Sequence, residues 1–186
     1  ESSFHGVVGL HQGYAPLWLF RQPTALTKGG PAVTALANRV RPRAGEGEIA
    51  LLHALSDAVA DAVRYQLDAT HVGTTAEEAA QLGQGVCQDH AHIFISAARL
   101  LGIPARYVSG YLFMEDRVEQ EAGHAWAEAH IEGLGWVGFD VSNRICPDEH
   151  YIRVATGRDY ADAAPIHAMT FGAGDSSLLV SLRVDQ

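Results

Sequence analysis

Residues 83–113 read GQGVCQDHAHIFISAARLLGIPARYVSGYLF, and this stretch decides the fold. Its first half has a helical period. Cys87, Ala91, Phe94, Ala98 and Leu101 fall on one stripe, and Ile93, Ile95 and Leu100 widen it. So broad an apolar surface predicts a helix over 87–101 that is central and largely buried. Gly102 and Pro104 end it: glycine tolerates the left-handed cap, and proline cannot continue the ladder. From Ala105 the period changes to two, and Arg106 to Phe113 reads as a strand rich in Tyr and Val.

Downstream the period of two continues. A polar loop, Glu115 to Glu121, precedes a second strand, His124 to Ile131. Gly133-Leu134-Gly135 is a turn, and Trp136 to Asp140 a third strand. Tyr151 to Ala155 and Leu178 to Val184 read as further strands. Upstream, residues 46–66 read as an amphipathic helix with Leu52, Leu55, Val59 and Val63 on one face. Glu46 and Glu48 sit near its positive end. After a loop at 67–73, Thr74-Thr75 before Ala76-Glu77-Glu78 is a capping box that opens a short helix. Helices first and antiparallel strands later make an α+β domain.

Residues 1–45 differ in texture. Pro16, Pro23, Pro31 and Pro42 recur, with Gly29-Gly30 between them, and Leu17 to Phe20 reads as a short buried strand. The expected organisation is an N-terminal arm, or the remnant of a preceding domain, over 1–45 and one catalytic domain over 46–186. The chain opens on Glu1 rather than Met, as expected of a processed form or a piece of a longer protein. No internal repeat is visible.

The bulk numbers narrow the class. The chain has 186 residues, 47% of them hydrophobic, enough for one domain with a sizeable core. A net charge of −9 with scattered basic residues argues against nucleic acid as a partner, because phosphate binding needs clustered Lys and Arg. No apolar run approaches the roughly 18 residues of a membrane span, and no charged-then-apolar leader is visible. The two cysteines, Cys87 and Cys146, are too few for a disulfide scaffold. Both read as thiols, which points to a reducing, cytoplasmic compartment. A Cys87–Cys146 bridge stays open at this level.

Three residues point to chemistry. Cys87 begins a helix, where unpaired N–H groups and the helix dipole favour a thiolate. If the hairpin is centred on Gly133, Asp140 lies opposite Trp126 and on the face of His124. Their contact is then diagonal, within reach of two side chains. A slip of one residue would put them on opposite faces. Cys, then His, then Asp is the set a thiol nucleophile needs: a base to take its proton and a carboxylate to orient that base. The Cys87 N–H is one candidate oxyanion donor. Tyr65, Gln81 and Gln84 are candidates for the second, Tyr65 first. Trp126 either walls the site or is plain core.

Other polar clusters have plainer readings. Asp89, His90 and His92 invite a metal together with Cys87, but His90 and His92 are two apart and leave a helix on different sides. No metal and no cofactor is therefore expected. Arg158-Asp159-Tyr160 reads as a structural ion pair. No partner is apparent for His150 or His167.

Four ordered motifs, and a fifth segment, resemble the bacterial transglutaminase-like superfamily. They are Gly85 to His92, Gly102-Ile103-Pro104-Ala105-Arg106-Tyr107-Val108-Ser109-Gly110-Tyr111, Gly123-His124-Ala125-Trp126-Ala127-Glu128 and Gly135-Trp136-Val137-Gly138-Phe139-Asp140, then Gly157-Arg158-Asp159-Tyr160-Ala161-Asp162. The resemblance covers about residues 45–185, and more weakly 12–40. It implies a papain-like α+β fold in which the helix carrying the cysteine packs on an antiparallel sheet. It also implies a triad of Cys87, His124 and Asp140, and a β-rich domain preceding this one. Two departures touch local loop shape. The family commonly has Asp-Pro-Thr-Asn where this chain has Asp140-Val141-Ser142-Asn143, and Ser where this chain has Gly123.

The expected function is amide chemistry through a thioester acyl-enzyme, on a peptide, protein or other amide substrate. Water as acceptor makes a cysteine peptidase or amidase. The alternatives are a protein-glutamine transglutaminase, with an amine as acceptor, and a partner-binding module that has kept the fold without activity. Loops 66–85 and 114–122 are expected to set the substrate.

Overall fold

The computed structural model describes residues 15–112, 119–120, 123–164 and 182–183, the two dipeptides by backbone alone. The helical half comes first. A 3-10 turn η1 (Leu17–Arg21) leads to α1 (Pro31–Val40), a second 3-10 turn η2 (Arg41–Glu46) and α2 (Glu48–Ala62). The two-residue strand β1 (Arg64–Tyr65), α3 (Ala76–Leu82) and the two-residue β2 (Gln84–Gly85) follow, and then α4 (Cys87–Leu100). The strand half contains β3 (Ala105–Leu112), β4 (Glu119–Gln120), β5 (His124–Ile131), β6 (Gly135–Phe139) and β7 (Tyr151–Gly157). It continues into a single turn, α5 (Tyr160–Ala163), and β8 (Leu182–Arg183). This is the α+β class expected from the change of period after Gly102.

The main sheet is antiparallel throughout, in the order β6-β5-β3-β7. Helix α4 packs across β5 and β3. The fit comes from alternation. Ala125, Ala127, Ala129 and Ile131 of β5 lie in the same buried cluster as Ile93, Phe94, Ile95, Ala97 and Ala98 of α4. Three alanines in alternate positions let a helix with large side chains approach the sheet. The ring of Phe94 stacks on Phe139 at 5.1 Å, locking α4 to β6.

Trp126 and Glu128 lie on the opposite face of β5 and are also buried. Glu128 is fully enclosed. It accepts from Arg106 Nε at 2.6 Å and from Arg153 Nη1 at 3.1 Å. Arg106 in turn lies over the Trp136 ring, 4.1 Å from its centroid. A buried carboxylate persists here because two guanidinium groups on the neighbouring strand positions compensate it.

Several elements differ from the sequence expectation. Leu17 to Phe20 is not a buried strand. It is η1, with Trp18 61% exposed and only Phe20 buried. The Leu19 N–H closes a turn onto the Pro16 carbonyl at 3.0 Å, and an apolar run of four has no period to separate turn from strand. Residues 31–40, inside the expected N-terminal arm or domain remnant, form α1, whose Val33, Leu36, Ala37 and Val40 join the main core. Pro31 starts this helix at its first position, where its missing N–H costs nothing. The 46–66 helix is shorter, Glu48–Ala62, because Arg64–Tyr65 leave it to pair in parallel with Gln84–Gly85. Val63, Leu52, Leu55 and Val59 are buried as expected.

The capping box at Thr75 and Glu78 is present: Glu78 N–H donates to Thr75 Oγ1 at 3.2 Å, and Thr75 N–H to Glu78 Oε2 at 2.9 Å. The expected strand over 178–184 is described only at Leu182–Arg183, which pairs with Glu119–Gln120. The remainder of that strand, most of the Glu115–Glu121 loop, Phe113 and His167 lie outside the described residues. Among the described residues, no helix is long and apolar enough to cross a membrane.

Candidate active site

Helix α4 begins at Cys87 because the chain around it is tied in place. Asp89 turns back and accepts from the Val86 N–H at 2.8 Å and from Thr70 Oγ1 at 2.6 Å. Gln88 Nε2 donates to the Val72 carbonyl at 3.1 Å. Loop 66–73 is thus fastened onto the first turn of α4. Strand β2 enters that turn directly and is held by β1, with the Gln66 N–H donating to the Gly85 carbonyl at 2.8 Å. Cys87 is half-buried and free, as is Cys146, so the two form no bridge. Burial pushes the Cys146 thiol up. Cys87 instead sits at the first helical position, where backbone N–H groups have no partner within the helix.

The hairpin β5–β6 has the register that the sequence required. Ile131 pairs with Gly135 and Ala127 with Phe139, so the turn is centred on Gly133. Continuing by one residue sets Asp140 against Trp126, and diagonal to His124. His124 Nε2 and Asp140 Oδ2 are 2.6 Å apart. Cys87, at the start of α4, lies near enough that its side chain and its charge help to raise the His124 ring. With Nε2 taken by Asp140, Nδ1 is the nitrogen left for the thiol. Cys87, His124 and Asp140 therefore stand in one chain of contacts.

Asp140 is fully buried and well supplied with donors. Its Oδ2 accepts from His124 Nε2, from Asn143 Nδ2 at 2.7 Å and from the Tyr151 hydroxyl at 2.7 Å. Its Oδ1 accepts from the Asn143 N–H at 3.2 Å. Burial works against the carboxylate, but the bond and charge of His124, then Tyr151 and Asn143, outweigh it and hold Asp140 below its usual range. Burial also opposes the charged form of His124. The Asp140 bond, then the Cys87 bond and the charges at both partners, overcome it and raise the ring to about 9. A protonated imidazole between a thiol and a carboxylate can hand a proton to a leaving group at neutral pH.

Trp126 packs beside His124 and is 2% exposed. Its ring lies 6.3 Å from that of His124 and meets Tyr151 edge-on at 5.4 Å. Gly110 makes room for it: a Cβ there would fall 2.7 Å from the Trp126 ring and 2.1 Å from the Ile152 carbonyl oxygen. Among the described residues, Trp126 Nε1 is buried without a hydrogen-bond partner.

The other candidates divide. Tyr65, half-exposed on β1, is near enough that the charges at Cys87 and Asp140, after partial burial, raise its phenol. Gln84 is half-buried on β2, three residues before the start of α4. Gln81 is turned elsewhere: its Nε2 donates to Glu77 at 2.9 Å. Asp89, His90 and His92 hold separate partners. His90 bonds the Val63 carbonyl and Ser142 Oγ at 2.9 and 2.8 Å, and His92 Nε2 accepts from the Tyr160 N–H at 3.1 Å. Arg158 pairs with Asp162 at 2.6 Å, and Asp159 caps α5 instead of pairing. His150 bonds Asp148, contrary to the reading that gave it no partner.

Two residues at the site had no signal in the sequence. Tyr151 reads as one more strand aromatic, and Asn143 as loop. Only the return of β7 beside β3 and the turn after Asp140 bring them to the carboxylate.

The model of the transglutaminase-like superfamily core matches residues 34–141, more than half of the chain and the span from α1 to just past Asp140. The chain belongs to the transglutaminase-like superfamily. Among solved structures it is similar to a candidate cysteine protease from Cytophaga hutchinsonii, at 30% identity and a TM-score of 0.71 over 97% of this chain and 60% of that one. The periplasmic domain of TgpA from Pseudomonas aeruginosa shares the fold, at 23% identity and a TM-score of 0.53, with 69% of this chain and 49% of that one covered. An uncharacterised protein of Mycobacterium leprae is 35% identical over 88% of this chain and 59% of its own length. An uncharacterised Mycobacterium tuberculosis protein is 34% identical over 62% of this chain and 40% of its own. The chain thus spans about two-fifths to three-fifths of these relatives. Membership in the transglutaminase-like superfamily supports thiol-dependent chemistry in broad terms.

Proposed function

We propose that this domain is a cysteine peptidase or amidase that works through Cys87, His124 and Asp140. The observation that carries the reading is the His124 ring, bonded to the Asp140 carboxylate at 2.6 Å, with Cys87 close enough to influence it from the other side. With the His124 ring already carrying the proton, Cys87 Sγ attacks the amide carbonyl carbon as the thiolate. The tetrahedral oxyanion lies at the start of α4, where the Cys87 N–H donates, with the Tyr65 hydroxyl as second donor and Gln84 as the reserve candidate. His124 gives the proton to the departing amine, the C–N bond breaks, and a thioester remains. Water then attacks the thioester as His124 takes its proton. Collapse breaks the C–S bond, releases the carboxylic acid and leaves His124 protonated beside the sulfur.

The test combines alkylation with a substrate screen. Iodoacetamide should modify Cys87 faster than a free thiol and faster than Cys146. Against a panel of peptides and simple amides, Cys87→Ala should lose about 10⁴-fold or more in turnover. Turnover that survives in Cys87→Ala rejects the mechanism. A Cys87 no more reactive than free thiol favours the partner-binding reading. Added primary amine that appears in the product, in preference to water, assigns the transglutaminase reaction instead.

A further inference from the structure

We propose that Tyr151 is a positioning residue: its hydroxyl fixes the Asp140 carboxylate and tempers the hold that Asp140 has on His124. This inference rests on the reading of Cys87, His124 and Asp140 given above.

The geometry is specific. The Tyr151 hydroxyl and His124 Nε2 both meet the same oxygen, Asp140 Oδ2, at 2.7 and 2.6 Å. Asn143 Nδ2 reaches it at 2.7 Å as well. Three donors on one carboxylate oxygen leave it little freedom to rotate, and so set the plane in which the His124 ring is held. The Tyr151 ring is itself fixed, edge-on to Trp126 at 5.4 Å and 6.0 Å from the His124 ring. Its place at the start of β7, opposite Leu112 of β3, is set by the sheet. The support is therefore anchored on a different strand from the groups it serves.

The electrostatic effect has a definite sign. A phenol that donates to Asp140 places a partly positive hydrogen beside an oxygen that also holds an imidazolium. It disperses the carboxylate charge and opposes the cation on His124. A His124 held too tightly protonated is a poor acid toward the leaving amine. Tyr151 thus trades some strength of the His124–Asp140 bond for a ring that still releases its proton. The titratable groups around this pair are, among the described residues, Cys87 and His90 on α4, Tyr65 on β1, Tyr151 itself and Asp148 near Tyr151. Tyr151 is the one of these whose hydroxyl bonds Asp140 directly.

The experiment is an NMR titration of the His124 ring, with the pH profile of Cys87 alkylation by iodoacetamide alongside it. Tyr151→Phe keeps the ring against Trp126 and removes only the hydroxyl. The His124 midpoint should rise, about three- to tenfold in proton affinity, and the upper inflection of the alkylation profile should move with it. Site-specific 3-fluorotyrosine at position 151, a stronger donor of the same shape, should move both the opposite way. Near-UV circular dichroism checks that the Trp126 packing is kept. A His124 midpoint unchanged in both folded variants overturns the proposal, since a merely structural tyrosine would move neither. Slow alkylation of wild-type Cys87 would count against the proposed function but leave the His124 titration free to report on Tyr151.

Discussion

His124 shows how much one side chain gains from its neighbours. Its ring is raised to about 9 by Asp140 and Cys87 against the pull of burial, compared with an ordinary histidine near 6.5. The folded pKa lies above the unfolded one, so the stabilisation is fully present below about pH 6.5 and is lost as pH rises through about 9. For Asp140 the folded value is depressed. Its contribution is present above about pH 4 and fades as pH falls below that. The pair therefore stabilises most between about pH 4 and 6.5, by an amount of the order of 3 kcal/mol at about 1.4 kcal/mol per pH unit. Asp140→Asn should lower the His124 midpoint from about 9, readable by NMR, because the carboxylate that raises it is gone. The same variant should lose the fall in stability between pH 6.5 and 9 that urea titrations of the wild type will show. The approach of His124 to Asp140 was legible in the sequence, because hairpin register suffices to bring the two together; Cys87 was legible as a cysteine at a helix start, and the packing of α4 on β5 sets it beside them. Tyr151 was not, since nothing in Glu149-His150-Tyr151-Ile152 says which carboxylate its hydroxyl meets.

Among the elements, α1 depends on a group far from it in sequence. Its N-cap, Gly30, has no side chain to offer the first turn. Glu77 of α3 does this from a distance, accepting from the N–H groups of Gly30, Ala32 and Val33 at 3.0, 2.8 and 3.0 Å. A Cβ on residue 30 would fall 2.6 Å from that carboxyl group, so the close approach needs glycine. Glu77→Ala should cost about 1–2 kcal/mol in urea unfolding, the range of a lost helix cap, and leave Cys87 alkylation unchanged. The legibility of an element follows from this contrast. Helices α3 and α4 carry local signals, a capping box and a long apolar stripe, and were read correctly. Helix α1 begins in a Pro- and Gly-rich run and owes its N-terminal partner to a residue 47 positions from Gly30. The β1–β2 pair is two residues long and has no period at all.

At the scale of the molecule, one buried arginine joins segments from both ends. Arg99 donates to the carbonyls of Phe20, Ala105 and Arg158 and to Thr27 Oγ1, at 2.8, 2.9, 2.7 and 2.7 Å. Burial lowers its pKa to about 10, so it stays charged at neutral pH. Arg99→Ala would remove the guanidinium donor from two buried carbonyls and one part-buried one, and should cost about 3–5 kcal/mol in urea unfolding. Cleavage by protease within residues 20–28 should accelerate in parallel. Arg99→Lys should not rescue it, because one ammonium cannot span four acceptors that a planar fork reaches.

The amino-acid sequence by itself determined the α+β class, the burial of α4, the hairpin register and the approach of His124 to Asp140. Each depends on a local period or a turn position, and those are written in consecutive residues. Tertiary structure alone decided that Tyr151 and Asn143 converge on Asp140, that Glu77 caps α1 and that Arg99 ties residues 20, 27, 105 and 158 together. These contacts join side chains whose separation along the chain carries no period, so only packing brings them within hydrogen-bond range.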